Sequence, residues 1–307
     1  MSWLRPLAGF AALLGIGIAV PFVTSGYGLA VAFELAMWVA LAESWIVLSG
    51  MTGYVSLGHV VFYGLGAYVG VLLWSVMPGW LAIALAGAAS GGFALVVGYP
   101  ALRVRGPYFV MLTFGLAELV KYAIIDIEAH LGVFSRLILG GPSLTALYFT
   151  MLGFAVATVA IAYLIGRSRF GYALRAIRED ESAAETIGIP VARMKLAAFA
   201  ISAVFPGMIG AVMVARTSYF EPAQAFDPVV SFTMVTMAVI GGSDDARGPL
   251  LGAGFLVVLS ELLWDKAPQI YMILLGLLLL VFVLYLPEGI TGRLFRAPVR
   301  TPARTAP

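Results

Sequence analysis

Apolar runs follow one another along most of the chain, separated by short turns rich in Gly, Pro and charge. A helix that spans a bilayer needs about 20 mostly apolar residues. Ten such runs are predicted, over 7–24, 29–49, 57–77, 79–99, 108–127, 147–166, 194–216, 229–242, 249–264 and 268–286. The runs 229–242 and 249–264 are short and flank the polar bend GGSDDARG, Gly241 to Gly248. That pair either crosses fully or forms a broken, re-entrant hairpin. One long polar stretch interrupts the series, RSRFGYALRAIREDESAAETIGIPVARMK, from Arg167 to Lys195. On a helix, Phe170, Ala173, Leu174, Ile177, Ala184 and Ile187 gather on one side of it. Arg175, Arg178, Glu179, Ser182, Glu185 and Thr186 gather on the other. The spacing predicts one amphipathic helix over 169–188, closed by Gly188 and Pro190. Arg175 and Glu179, four apart, are expected to pair weakly.

Composition agrees with a membrane setting. Of 307 residues, 62% are hydrophobic and 11% charged, and the mean hydropathy is +1.00. A soluble domain carries about 25% charged residues. The expected fold class is therefore an all-α membrane protein of about ten transmembrane helices. The alternation at about ten-residue spacing that marks a β-barrel is absent. No Cys is present, so neither a disulfide nor a thiolate site can form. The net charge of +2 lies mainly in loops and carries no clustered basic surface for nucleic acid. The first apolar run has no convincing small-residue cleavage site for a signal peptide.

Basic residues set the orientation. Arg5, the pair Arg103 and Arg105, the group Arg167, Arg169, Arg175, Arg178, Arg193 and Lys195, and finally Arg293, Arg296, Arg300 and Arg304 all fall on one side of ten spans. That side is predicted to be cytoplasmic, with both termini on it. The opposite loops hold only Arg136, Arg216 and Lys266. The Pro-rich end of the chain, 291–307, is expected to be a disordered cytoplasmic tail after a transmembrane domain over 1–290.

Two readings remain for the polar stretch. It could lie on lipid headgroups, or it could dock a soluble protein. Glu179, Asp180, Glu181 and Glu185 favour docking, because lipid-facing helices prefer Lys and Arg on their polar side. Within the spans, Gly50, Gly53, Gly58, Gly64, Gly66 and Gly70 permit close helix packing or unwound backbone at membrane depth. Ser56 and His59 add polar groups beside that backbone, so they, with Gly53 and Gly58, are candidate substrate-pathway residues; the alternative for His59 is a hydrogen-bonded packing role. Glu43 lies inside the second span and is a further pathway candidate, able to meet an ammonium group, a basic partner side chain or water. Glu118 has Lys121 three residues on, which points to a structural pair. Pro206, Gly207 and Gly210 interrupt the seventh span, as a moving kink or a static bend. No G-x-x-x-x-G-K-[ST] occurs, so no ATP site is expected on the chain, and no nucleophile–base set or metal cluster marks it as an enzyme.

RSRFGYALRAIREDESAAETIGI resembles the cytoplasmic coupling segment of ABC-importer permeases, in the version of the branched-chain amino acid (LivM-type) family. GYVSLGHVVFYGLGAY (Gly53–Tyr68), GYPALRVRGPYFVMLTFGLAE (Gly98–Glu118) and GGSDDARGPLLGA (Gly241–Ala253) are similar to further stretches of that family, in the same order. The resemblance implies an inverted-repeat permease in a bacterial inner membrane. It implies a second, LivH-type permease subunit, two cytosolic ATPases that use ATP, a periplasmic solute-binding protein, and no cofactor on this chain. It places ATPase coupling on Phe170, Gly171, Leu174, Arg175, Arg178, Glu179, Glu185 and Gly188. The implied cargo is a branched-chain amino acid or related small polar solute; urea, short amides or aromatic acids are the alternatives within the family, and an ion-coupled secondary transporter is the alternative outside it. Tyr54 stands where the family commonly has Gln, and Asp244, Asp245 and Arg247 stand where small or apolar residues are expected.

Overall fold

The computed structural model describes residues 4–133, 135–138, 140–243, 248–264, 268–285 and 289–295. Asp244, Asp245, Arg247, Lys266 and the end of the tail from 296 lie outside the described residues. The chain folds as α1 (Leu4–Val23), α2 (Gly26–Thr52), α3 (His59–Leu73), α4 (Gly79–Ala101), α5 (Pro107–His130), β1 (Arg136–Leu137), α6 (Leu144–Arg167), α7 (Arg169–Glu179), α8 (Glu181–Thr186), α9 (Val191–Thr217), β2 (Tyr219–Phe220), α10 (Pro222–Ala225), α11 (Pro228–Gly241), α12 (Gly248–Trp264), α13 (Pro268–Tyr285) and α14 (Gly289–Phe295). Each of the ten apolar runs carries one helix. Among the described residues, six stretches are long and apolar enough to cross a membrane by themselves: Gly26–Thr52, Gly79–Ala101, Pro107–His130, Leu144–Arg167, Val191–Thr217 and Pro222–Gly241.

Local chemistry sets the boundaries. Ser143 and Ser168 cap α6 and α7 by accepting from Ala146 N at 3.3 Å and Gly171 N at 3.2 Å. Asp227 caps α11 by accepting from Val229 N at 2.9 Å. Each satisfies a first-turn N–H that no helical carbonyl can reach. Pro107 and Pro228 open α5 and α11, where a missing N–H costs nothing.

Three findings depart from the expectations. The third apolar run is helical only from His59 to Leu73, about 22 Å at 1.5 Å per residue, and residues 53–58 before it are unwound. The polar stretch is two helices: Asp180 is extended (φ −158°, ψ 115°) and caps α8 by accepting from Ser182 N and Ala183 N at 2.8 and 3.0 Å. A side chain that can cap locally competes with the continuing helix, so the phase changes at Asp180. The helix α14 runs to Phe295, and Thr291 donates to Gly241 O at 2.8 Å, so order extends past the expected start of the tail at 291.

The centre of the bundle is α9 with α3 and α4 against it, and α2 between α9 and α6. The close approach depends on missing side chains. A Cβ on Gly66 would stand 1.9 Å from Gly207 O, and one on Gly210 2.0 Å from Tyr63 O. The α3–α9 contact is therefore backbone on backbone, as small residues allow between helices in lipid. Pro206 stays inside a continuous α9. At the end of the bundle where α9 finishes, β1 and β2 pair antiparallel, Arg136 opposite Phe220 and Leu137 opposite Tyr219.

Gly210→Val is expected to cost at or beyond the ~3 kcal/mol upper end of ordinary overpacking, because it meets backbone that cannot turn aside. The thermal midpoint of the detergent-solubilised protein checks this; Gly92→Ala, where a Cβ meets nothing within 4 Å, is the neutral comparison.

Candidate translocation and coupling site

The unwound residues 53–58 lie between the C-terminus of α2 and the N-terminus of α3. Gly53 closes α2 in the left-handed conformation (φ 76°), and its N–H reaches Ser49 O. The following N–H groups are met by side chains: Tyr54 N by Thr52 Oγ1 at 3.3 Å, Ser56 N by Ser49 Oγ at 3.3 Å, Leu57 N by Thr113 Oγ1 at 3.2 Å and Gly58 N by Ser56 Oγ at 3.2 Å. Trp45 Nε1 donates to Ser56 O at 2.8 Å. The first turn of α3 is closed from a distant helix, with Val60 N donating to Ser231 Oγ of α11 at 3.0 Å. Broken backbone in an apolar interior persists only when such partners are supplied.

Ser56, Gly58 and His59 are buried here, as the sequence placed them beside breakable backbone. His59 Nε2 lies 3.2 Å from Ser202 Oγ on α9, and its ring packs edge-on against Phe62 and Phe199. His59 Nδ1 is buried with no hydrogen-bond partner among the described residues. Glu43 is fully buried within α2, nearly three turns before the break. Gly53 differs from the other candidates, being exposed at the surface beneath Arg178. Glu118 and Lys121 form the expected pair at 2.5 Å within α5.

The polar stretch sits against this break. Leu174, Ile177 and Ala184 are buried in an apolar cluster with Trp45, Leu48, Phe62, Phe109 and Phe199. Gly171 is required, because a Cβ would lie 2.0 Å from Ile165 O, and Phe170 packs on the same cluster. The two arginines expected on the outer face turn inward. Arg178 Nη1 donates to Gly50 O at 2.9 Å and Arg175 Nη2 to Gly166 O at 2.5 Å. The carbonyls at a helix C-terminus carry partial negative charge, which explains the preference. The expected Arg175–Glu179 pair therefore does not form; Glu179 is exposed. Ile187, expected on the apolar side, is 74% exposed after the change of phase, and Tyr172 is 63% exposed. Glu185 and Gly188 are exposed beside it.

An ionic cluster that sequence reasoning missed joins these parts. Lys195, at the start of α9, donates to Glu181 Oε1 at 2.8 Å, to Tyr54 Oη at 2.9 Å and to Leu102 O at 3.2 Å. Tyr54 Oη donates to the same Glu181 oxygen, and Arg105 Nη2 stands 2.8 Å from Glu181 Oε2. The side chains of Lys195 and Glu181 are only 5% and 10% exposed. Burial alone would raise the Glu181 carboxyl; the bonds from Lys195 and Tyr54 and the charges of Lys195 and Arg105 outweigh it and hold the group below its usual range. The one signal available beforehand was Tyr54 itself, which departs from the common Gln.

At the far end Arg136 and Arg216 are neutralised. Arg136 Nε and Nη2 both donate to Glu128 at 2.9 Å, Tyr68 Oη adds a third bond at 2.7 Å, and Arg216 lies 3.5 Å from Glu34.

Apolar helices of membrane length, a broken helix held by side chains and an amphipathic polar pair across its end define a multi-pass membrane protein of the permease class. Residues 27–283 match the family described as branched-chain amino acid transport system / permease component, and the chain belongs to that family. It is 29% identical over 91% of its length, and 73% of the relative's, to the high-affinity branched-chain amino acid transport system permease protein LivM of Salmonella typhimurium. The LivM of Escherichia coli is 28% identical over the same shares. The LivH of Escherichia coli, of the same transport system by name, is 23% identical over 83% of this chain and 91% of its own. No solved structure matches the chain.

Because Glu181 titrates below its unfolded value, its stabilisation is complete above about pH 4.3 and is lost as the pH falls through the lower folded value. Melting of the solubilised protein is expected to show an acid arm that Glu181→Gln flattens. Lys195→Met, which leaves the buried Glu181 carboxylate with only Arg105 and Tyr54 as partners, is expected to cost less than the ~3–5 kcal/mol of a fully uncompensated charge, and adding Glu181→Gln recovers part of it.

Proposed function

We propose that the chain is one membrane subunit of an ABC importer for branched-chain amino acids, embedded in a bacterial inner membrane as ten crossings in two inverted halves. The family membership and the names of the LivM and LivH relatives support the cargo and class. The helix pattern supports the inversion. A 27-residue α2, an unwound link and a 15-residue α3 are matched by a 27-residue α9, a non-spanning link and a 14-residue α11. The helix α2 runs toward the polar pair and α9 away from it. The two short helices adjoin near their starts, through Val60 and Ser231 and through Gly64, whose Cβ would meet the Phe226 ring at 2.5 Å.

The observation that carries the reading is the α7–α8 pair. Its apolar side is already spent on the bundle, yet it leaves Tyr172 and Ile187 uncovered beside Glu179, Glu185 and Gly188. An apolar and acidic edge of that kind suits a soluble protein better than anionic headgroups, so this edge docks a cytosolic ATPase that uses ATP. Phe170, Gly171, Leu174, Arg175 and Arg178 brace it from beneath. The exposed basic groups Arg103 and Arg105 lie at that end and the neutralised Arg136 and Arg216 at the other, which supports a cytoplasmic side there; α14, bonded to Gly241, lies on the same side. A LivH-type subunit completes the pathway past Ser56, Gly58, His59 and Glu43, with Gly53 at its inner rim, and a periplasmic binding protein delivers the solute.

Expression with its neighbouring permease, ATPase and binding-protein genes in a host lacking branched-chain uptake is expected to restore vanadate-sensitive leucine import. Import that needs no ATPase and collapses with a protonophore would instead assign an ion-coupled transporter, and competition by urea, amides or aromatic acids would reassign the cargo. Ile187→Asp is expected to weaken ATPase co-purification at least tenfold, with Ile187→Leu near wild type.

A further inference from the structure

Tyr54 occupies a position with two attachments. Its hydroxyl is held by Glu181 of α8 and Lys195 of α9, while its ring stands edge-on to Phe109, with centroids 5.2 Å apart. Phe109 packs on Phe199 at 6.4 Å, and Phe199 on both Phe62 at 5.2 Å and His59 at 6.2 Å. In sequence, Tyr54 is the second residue of the unwound stretch that leads through Ser56 into α3. The same stretch is held from α7 as well, since Arg178 bonds Gly50 O and its Cγ lies 3.2 Å from where a Cβ on Gly53 would be. Both polar helices thus grip the top of the break, one through backbone and one through the Tyr54 hydroxyl. The lower part of the break is tied to α2 and α5 by Trp45, Ser49 and Thr113. Tyr54 thus connects α8 to a segment whose other end is the start of α3.

We propose that Tyr54 and Glu181 are positioning residues for transport: their hydrogen bond ties the polar helix pair to the broken segment, so that movement of the pair is converted into movement of the α3 N-terminus beside His59. The proposal rests on the importer reading above. Arg105, which pairs with Glu181 while 63% exposed, and Lys195 hold the carboxylate at the junction. Glu181 separates two clefts on this end of the bundle. One of about 330 Å³ is lined by Tyr99, Arg103, Glu185 and Lys195; the other, of about 630 Å³, by Val55, Val110, Met111 and Arg178. Open space beside Glu181 leaves the junction room to shift; Tyr54 lines the larger cleft and keeps its ring edge-on to Phe109. A well-packed apolar contact often stabilises as much as a buried ion pair, which fits a contact kept for its direction and reach.

The test uses the full chain in its assembled complex, reconstituted in lipid nanodiscs and proteoliposomes. Tyr54→Phe removes one hydroxyl and keeps the ring on Phe109. It is expected to lower leucine import tenfold or more while ATP hydrolysis without binding protein stays within twofold of wild type, and stimulation by loaded binding protein is lost. Glu181→Gln is expected to do the same, and Tyr54→Phe/Glu181→Gln to be no worse than the poorer single variant, as one shared contact requires. Should Glu181→Gln fail to assemble, Tyr54→Phe alone decides. Import and stimulation within twofold of wild type in Tyr54→Phe overturn the proposal. So does a parallel fall of import, basal ATP hydrolysis and subunit co-purification, which would mark a structural anchor. A wild-type complex that neither hydrolyses ATP nor imports refutes the importer reading instead, a result separate from any ratio between variant and wild type.

Discussion

Unwound backbone buried in an apolar bundle must find its hydrogen-bond partners within the protein, and the rest of the site follows from how the buried part of residues 53–58 does so. Five N–H groups from Tyr54 to Val60 are taken by hydroxyls: those of Thr52, Ser49, Thr113, Ser56 and Ser231. Those hydroxyls come from α2, α5, α11 and the link itself. The break therefore locks four parts of the chain together while leaving polar groups at depth, and a helix in that place would need none of them.

Packing brings the second requirement. The helices α3 and α9 approach until backbone meets backbone at Gly66, Gly207 and Gly210. In lipid there is little hydrophobic drive between helices, so close van der Waals contact must hold them. Such a contact is close-packed and transmits strain directly, because nothing soft lies between the surfaces. The continuous passage of α9 through Pro206 is consistent with a stiff central element around which shorter pieces are arranged.

Charge divides the two ends of the bundle. At the far end, Glu128 and Glu34 neutralise Arg136 and Arg216. At the end that carries the polar pair, Arg103 and Arg105 project, while Lys195 is drawn inside to hold Glu181 and Tyr54. The polar pair is thereby bound by two different means, an apolar underside at Leu174 and Ile177 and an ionic junction at Glu181. The first fixes its place and the second its orientation, since ion pairs have direction and apolar contacts do not.

Hydropathy alone was enough to find the ten apolar runs that carry helices and the amphipathic stretch, because each is a local pattern within one segment. The Glu118–Lys121 pair was legible for the same reason, being one turn apart. Ser56 and His59 were legible as polar residues beside glycines. The split at Asp180 was not, because a capping side chain and a helix interior look alike until the neighbours decide. Nor was the inward turn of Arg175 and Arg178, which answers to carbonyls at the ends of α6 and α2. The cluster of Tyr54, Arg105, Glu181 and Lys195 draws on four separate segments, and pairing across such distances depends on which helices pack together. Residue order thus determined which stretches become apolar helices and which stay polar, through periodicity and charge. Only the tertiary structure decided which buried charges face one another, because that follows from helix packing and not from spacing.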